Sequence, residues 1–133
     1  MSAAALEIRP LEQPPDATIT VPGSKSITNR AVLLAALAEG RSELTGALFS
    51  DDTRYMAEAW NRLGVGVEAD AAANRFTVRG CGGAIPAAAA ELFVGNAGTA
   101  MRFLVAALCL GHGRFRLCLR ARCRSRPLLG SGH

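Results

Sequence analysis

The chain has 133 residues, of which 50% are hydrophobic and 20% are charged, so its composition excludes a wholly disordered polypeptide. No apolar run reaches the roughly 18 residues of a membrane span, and residues 1–8 do not resemble a secretory signal, which predicts a cytoplasmic protein. The net charge of +4 is uneven, because residues 1–113 carry 9 basic and 11 acidic side chains whereas residues 114–133 carry 6 arginines and no acid.

The N-terminal part of the chain predicts a short strand and then a buried helix. Residues 17–21 alternate after a Pro-Pro break, which is typical of a strand, and Pro22 and Gly23 predict a turn. Residues 29–39 are apolar on every face, which indicates a helix buried all round that ends at Gly40.

The next predicted helix is amphipathic. Ser50 is the expected N-cap, because Asp51 and Asp52 follow it and anions are favoured beside the unpaired amides of a helix start. Trp60 is the expected core anchor, and Gly64 marks the end of the helix.

The remaining patterns predict short elements in an α/β order. They are paired strands at 65–69 and 76–79 joined by the hairpin 70–74, a helical turn at 87–90, a buried helix over about 100–110 that ends at Gly111, and an alternating tail from Phe115. This order predicts an α/β fold but does not by itself fix the topology.

The four cysteines carry no recognisable motif. Two of them separated by two residues would suggest a zinc site, but no such pair occurs, and a disulfide framework is not expected in a cytoplasmic chain. Cys109 lies in an apolar helical pattern and is expected in the core. We interpret all four as non-functional: Cys81, Cys109, Cys118 and Cys123.

Cations near the starts of the two apolar helices are the strongest functional signal. Arg30 and Arg102 fall in the predicted first turns, where the helix dipole disfavours a cation unless an anion compensates it. The small-residue loops before these helices, at 22–26 and 95–99, expose backbone amides and hydroxyls that can surround an anion. The sequence therefore predicts two anion sites, either adjoining or separate, with ordinary glycine turns and solvated arginines as the alternative interpretation.

Each anion site has its own set of candidate residues. In the first, Gly23 permits close backbone approach, the side chains of Lys25 and Ser26 can bind an anion, and Arg30 supplies a planar fork suited to phosphate or carboxylate; Lys25 is the only lysine in the chain. In the second, the candidates are a backbone amide, two helix-capping side chains and a cation: Gly98, Asn96, Thr99 and Arg102.

These residues lie in two long motifs that resemble a known family. VPGSKSITNR at 21–30 and LFVGNAGTAMR at 92–102 are similar to two signatures of the 5-enolpyruvylshikimate-3-phosphate synthase family, and SDDT at 50–53 fits its intervening helix start. The resemblance implies a fold of repeated βαβαββ units, of which about one and a half are present. The related transferases that act on UDP-N-acetylglucosamine are the alternative family, although they typically have Lys-Asn where this chain has Lys25-Ser26.

The resemblance also implies an activity and a set of roles. The family transfers the enolpyruvyl group of phosphoenolpyruvate to the 5-hydroxyl of 3-phosphoshikimate in chorismate biosynthesis, without a metal or organic cofactor. The resemblance implies that Lys25 is catalytic and contacts both substrates. It also implies that Ser26 and Arg30 bind 3-phosphoshikimate and that Gly98 binds phosphoenolpyruvate. Asn96, Thr99 and Arg102 are implied to support the second site.

The same comparison implies that the chain is an N-terminal fragment, inactive or nearly so alone. It divides the chain into residues 1–20, which belong with the other domain in the family, a partial transferase domain at 21–113 and an atypical basic tail at 114–133. Counted from Arg102, Arg126 falls at the position of an arginine that binds phosphoenolpyruvate in the family, so the resemblance implies this role for Arg126. An arginine-rich tail can also bind nucleic acid through phosphates, and this is the second class of function that the sequence leaves open.

Overall fold

The computed structural model describes residues 13–14 and 16–119. In chain order the helices and strands are α1 (Lys25–Leu37), β1 (Glu39–Leu44), α2 (Asp51–Arg62), β2 (Gly66–Asp70), β3 (Arg75–Cys81), β4 (Ala89–Phe93), α3 (Gly98–Leu108) and β5 (Arg114–Cys118). The order from α1 to β3 is that of a βαβαββ unit after its first strand, and β4-α3-β5 has the order that begins a second unit.

Two sheets flank the helices. The first is antiparallel with the order β1-β3-β2, and the second pairs β4 with β5 in parallel. Helix α1 packs on β3 and on both other helices, while α2 also packs on β2 and β4. The core lies between these layers, and its largest fully buried side chains are Trp60, Phe76, Met56, Leu63, Leu92 and Leu104. The expected role of Trp60 as a core anchor is therefore confirmed.

Helix α2 and the following hairpin agree closely with the sequence. The Ser50 hydroxyl accepts the amide of Thr53, and the Thr53 hydroxyl accepts the amide of Ser50, which together form a reciprocal capping box. Gly64 follows the helix with a φ of +85°, a left-handed conformation that favours glycine. Strands β2 and β3 pair with each other as predicted, over slightly different bounds, and their register places Val67 opposite Val78.

The first predicted helix begins earlier than the pattern suggested. Ser24 is the N-cap, and its hydroxyl accepts the amide of Ile27 at 3.4 Å, so Lys25 and Ser26 belong to the helix rather than to a loop. The helix ends at Leu37, and the chain then enters β1, which the sequence analysis missed. Gly40 lies inside β1 with a φ of +86° and does not end the helix.

Two other predictions about short segments were wrong, and the bounds of the third predicted helix differ by two residues. Residues 17–21 form no strand and are exposed, because no described strand lies beside them to complete backbone hydrogen bonds. Residues 87–90 are not a helical turn: the last two begin β4, whose pairing with β5 satisfies their backbone. Helix α3 covers 98–108 instead of 100–110, and the amide of Gly111 donates back to the Leu108 carbonyl at 3.0 Å.

The sequence pattern indicated that the two apolar helices are buried on every face, and this prediction was wrong. Ile27 and Leu34 on α1 are each 66% exposed, and Val105 on α3 is 48% exposed. Cys109 is exposed rather than in the core, because it follows the end of α3, where its thiol donates to the Val105 carbonyl. Each helix therefore has one buried face, and apolar residues extend beyond it.

Candidate functional site

The starts of α1 and α2 are joined by an ion pair. Lys25 is the first residue of α1 and Asp52 is the second of α2, and Lys25 Nζ lies 3.1 Å from Asp52 Oδ2. The Lys25 side chain is about half exposed, so its ammonium can exchange Asp52 for another anion at modest cost. From the sequence, Asp52 is expected only at a helix start, because residue spacing does not reveal a contact between two helices.

The start of α2 also contacts the loop before α3. Tyr55 packs its ring edge to face with Phe93 at a centroid distance of 5.4 Å. A β-carbon built on Gly95 would lie 2.6 Å from a carbon of the same Tyr55 ring, and Gly95 has a φ of +52°. Glycine is therefore needed at position 95 both for its backbone conformation and for the close approach of Tyr55.

Arg30 and Phe103 connect the starts of α1 and α3. The central carbon of the Arg30 guanidinium lies 5.3 Å from the centroid of the Phe103 ring. Each is the sixth residue of its helix, so with a rise of about 1.5 Å per residue the contact lies roughly 8 Å along each axis from the helix start. The first two turns of the three helices therefore lie close together. We call these segments, residues 24–30, 50–55 and 95–103, the helix-start cluster.

The helix-start cluster is electropositive. Each helix start carries about half a positive charge from its aligned peptide dipoles, to which the side chains of Lys25, Arg30, Arg54 and Arg102 add four cations. Asp51 and Asp52 are the acids in the cluster. Within the described part of the chain, neither Arg30 nor Arg102 has a carboxylate within ion-pair distance. This balance favours binding of an anion.

The first loop contributes free donors as well as charge. Ser24 satisfies the amides of Ile27 and Thr28, whereas the amides of Lys25 and Ser26 have no acceptor among the described residues. The Ser26 carbonyl accepts a hydrogen bond from Arg30 Nη1 at 3.1 Å. Lys25, Ser26 and Arg30 are thus brought together as predicted, although Arg30 lies in the second turn of α1, because the helix begins before Asn29.

Close backbone packing explains why position 23 is a glycine, and the sequence did not reveal this. A β-carbon there would overlap the Gly46 carbonyl oxygen and lie 2.9 Å from the amide nitrogen of Leu48. The Thr28 hydroxyl accepts that same Leu48 amide at 3.0 Å. The close backbone approach at Gly23 is therefore made by the segment 46–48, and it fixes the start of α1 against the loop that leads to α2.

The second loop has a different cap from the one predicted. Ala97 is the N-cap of α3 and provides no side-chain hydrogen bond, so capping by Asn96 or Thr99 was wrong. With φ −77° and ψ 75°, Ala97 forms an inverse γ-turn in which the Gly98 amide donates to the Asn96 carbonyl at 2.9 Å. An anion at Gly98 therefore has to compete with this bond.

Open space surrounds Gly98. A β-carbon built on this residue would meet no atom within 4 Å, and its φ is not in the left-handed region. Glycine is thus not required here by the packing of the described chain. The prediction that its missing side chain leaves room for an anion stays a prediction. Arg126 lies outside the described residues.

Asn29 and Thr53 are both fully buried polar residues of the cluster, but only Thr53 forms side-chain hydrogen bonds with described residues. Neither the Oδ1 nor the Nδ2 atom of Asn29 has a hydrogen-bond partner among the described residues. Such a group costs about 1–3 kcal/mol when it is left unpaired, so Asn29 is a poor choice for a purely apolar helix interface. The buried amide marks the N-terminal half of α1 as a polar region of the core.

Asp52→Asn is expected to strengthen binding of inorganic phosphate to the cluster about two- to five-fold. The carboxylate next to Lys25 repels an incoming anion by roughly 0.5–1 kcal/mol at the effective dielectric constant of a protein surface. The measurement is a titration of the chain followed by NMR. The control is Asp51→Asn, because Asp51 is highly exposed and pairs with Arg54 instead. Equal or weaker phosphate binding by Asp52→Asn would contradict this electrostatic interpretation.

The described residues form neither a membrane-spanning helix nor a cluster of metal ligands. No helix among them combines the length and hydropathy needed to cross a membrane. Within the same part of the chain, no three His, Cys, Asp or Glu side chains gather as a metal ion would require.

Comparison with known proteins identifies the family. The family described as EPSP synthase (3-phosphoshikimate 1-carboxyvinyltransferase) matches residues 12–130. A 3-phosphoshikimate 1-carboxyvinyltransferase from Trichormus variabilis is 50% identical over 92% of this chain and 29% of its own length. One from Escherichia coli is 53% identical over 85% of this chain and 27% of its own length.

Solved structures give the same result for the fold. An EPSP synthase from Acinetobacter baumannii superposes with a TM-score of 0.64 and 31% identity, covering 83% of this chain and 25% of that protein. The chain spans less than a third of the length of the curated relatives it matches. The arrangement of βαβαββ units is therefore that of EPSP synthase, and the chain belongs to the EPSP synthase (3-phosphoshikimate 1-carboxyvinyltransferase) family.

Proposed function

We propose that this chain forms part of the site at which the enolpyruvyl group of phosphoenolpyruvate is transferred to the 5-hydroxyl of 3-phosphoshikimate. The observation that carries the proposal is the meeting of three helix starts around Lys25 and Arg30, in a chain that matches the family over residues 12–130. Both substrates are multiply charged anions, so they suit a cluster with excess positive charge and free amides. The relatives are named for this transfer, and a cytoplasmic location belongs to the same proposal.

The proposed roles follow the two sides of the cluster. At the start of α1, Ser26 and Arg30 bind the phosphate ester of 3-phosphoshikimate, because a planar guanidinium and a hydroxyl together match the oxygens of a phosphate. At the start of α3, Gly98 binds phosphoenolpyruvate after its amide leaves the Asn96 carbonyl, and Arg102 contributes charge. Lys25 lies at the α1–α2 contact and is proposed to reach both ligands.

The reaction assigns a further task to Lys25. The 5-hydroxyl oxygen bonds to C2 of phosphoenolpyruvate and loses its proton, while the methylene carbon gains a proton. The resulting tetrahedral adduct then expels phosphate and loses a proton from its methyl group, which restores the double bond. Lys25 is proposed to stabilise the charge of the departing phosphate or to donate a proton, because its ammonium is mobile and already near an exchangeable anion, the Asp52 carboxylate.

Titration calorimetry with 3-phosphoshikimate and shikimate tests the proposal. The expected result is that the chain binds the phosphate ester about 10–100-fold more tightly, which corresponds to the roughly 1.5–3 kcal/mol of a hydrogen bond to a charged group. Equal affinities would contradict recognition of the phosphate. UDP-N-acetylglucosamine serves as a third ligand, since preferential binding of this compound would favour the related transferase family.

The second class of function, nucleic-acid binding, depends on the arginine-rich tail. Residues 120–126 lie outside the described residues, so that hypothesis stays a sequence-based prediction. The part of the tail that the structure describes contains β5, where Arg116 forms an ion pair with Glu91 at 3.0 Å. Arg116 therefore links two parallel strands, which favours a structural role for this arginine over binding of nucleic acid.

A further inference from the structure

Arg30 is held by two contacts of different kinds. Its Nη1 atom donates to the Ser26 carbonyl at 3.1 Å, and its guanidinium carbon lies 5.3 Å from the centre of the Phe103 ring. A guanidinium has five N–H donors, of which the Ser26 carbonyl takes one. The aromatic ring attracts the cation through its π face and accepts none of these donors in the manner of a carbonyl. Among the described residues no other acceptor takes the remaining donors, which therefore stay available while the side chain is oriented.

Phe103 is anchored well enough to act as a platform. It is partly buried and packs against the hydrophobic core, and the next residue, Leu104, is fully buried. Arg30, in contrast, is exposed, and a long exposed side chain samples many rotamers. A fixed ring beside it reduces the rotamer entropy that a bound ligand would otherwise have to remove.

We propose that Phe103 is a positioning residue that orients Arg30 toward a phosphate ester and thereby joins the α1 and α3 sides of the cluster. This inference rests on the proposed function, because it assumes that the ligand of Arg30 is 3-phosphoshikimate. The negative face of the ring also repels an anion, so the phosphate has to approach the free N–H edge of the guanidinium. Phe103 is therefore expected to affect the affinity for 3-phosphoshikimate without touching this substrate.

The test compares Phe103→Leu with Phe103→Tyr. Leucine keeps an apolar side chain but removes the π face, whereas tyrosine keeps the face and is the conservative rescue. Calorimetry with 3-phosphoshikimate is expected to show affinity two- to five-fold weaker for Phe103→Leu and close to that of the original chain for Phe103→Tyr. The matched control is Phe115→Leu, because Phe115 lies on β5 and contacts Gly111, beyond the opposite end of α3.

A double-mutant cycle separates positioning from general packing. In an Arg30→Ala background, Phe103→Leu is expected to cause no further loss of 3-phosphoshikimate affinity, because the residue on which the ring acts has been removed. A second readout needs no ligand: the NMR signal of the Arg30 Nε–H group is expected to carry a ring-current shift that Phe103→Leu abolishes and Phe103→Tyr retains. This signal reports the contact even if a variant loses some stability.

The outcomes are distinguishable. Unchanged affinity in Phe103→Leu, an equal loss in the Arg30→Ala background, or an Arg30 signal that does not depend on Phe103 would each overturn the inference while leaving the proposed function intact. If the original chain and every variant fail to bind 3-phosphoshikimate, the proposed function itself is wrong and the inference is overturned with it.

Discussion

Replacing Lys25 with methionine is expected to weaken binding of both 3-phosphoshikimate and phosphoenolpyruvate by about 10–100-fold. The substitution keeps the length of the side chain but removes the ammonium, and a hydrogen bond to a charged group contributes roughly 1.5–3 kcal/mol. It also leaves the Asp52 carboxylate without its partner, so repulsion of the ligands adds to the loss. Titration calorimetry with each ligand measures the effect.

The folded state is expected to tolerate Lys25→Met. The ion pair with Asp52 is half exposed on the lysine side, and such pairs stabilise a protein by about 0–1 kcal/mol. Thermal unfolding should therefore shift little, and this measurement is the control for folding. Lys25→Arg is the matched variant: it keeps the charge but changes its shape, and it should retain more affinity than Lys25→Met. Undiminished binding by Lys25→Met would remove this residue from the site.

Arg30→Ala is expected to reduce the affinity for 3-phosphoshikimate by about 10–100-fold and to affect phosphoenolpyruvate less. Arg30 lies on α1, where the phosphate ester is proposed to bind, and among the described residues only the Ser26 carbonyl accepts one of its five donors. The informative quantity is the difference between the losses of affinity for the two ligands, because a general loss of positive charge would weaken binding of both equally. Separate calorimetric titrations of one variant with the two substrates measure it.

Arg41→Ala is the matched control for Arg30→Ala. Arg41 is exposed on β1 and lies directly opposite Arg79 on β3, outside the helix-start cluster. Its removal changes the net charge by the same amount and relieves a repulsion between like charges. If Arg41→Ala weakens 3-phosphoshikimate binding as much as Arg30→Ala does, the effect is one of overall charge and the assignment of Arg30 is wrong.

The sequence was most informative where local chemistry decides the structure. Ser50 with Asp51 and Asp52 predicted the start of α2, since a cap depends on atoms within one turn. The start of α1 was predicted too late, because the apolar pattern begins near Asn29 whereas the Ser24 cap sets the start of the helix. Strand β1, with its glycine and three charged residues, has no apolar alternation and is specified by its pairing with β3.

In the candidate site, too, local features were predictable from the sequence and contacts between helices were not. The motifs placed Lys25 and Arg30 together, and the helix starts that hold them do adjoin that of α3. The partners of these residues were not predictable from spacing. Asp52 and Phe103 reach them across helix interfaces, and such contacts depend on how the three helices pack. The sequence thus indicated the candidate cations, and the structure shows which side chains contact them.

The central claim is that the three helix starts form one site for anionic substrates. The most direct test is an NMR titration of the 15N-labelled chain with 3-phosphoshikimate and then with phosphoenolpyruvate, following every assigned backbone amide. The first ligand is expected to shift the amides of Lys25, Ser26 and Arg30, and the second those of Gly98 and Thr99. Shifts confined to the arginine-rich tail, or no shifts in the helix-start cluster with either ligand, would contradict the claim.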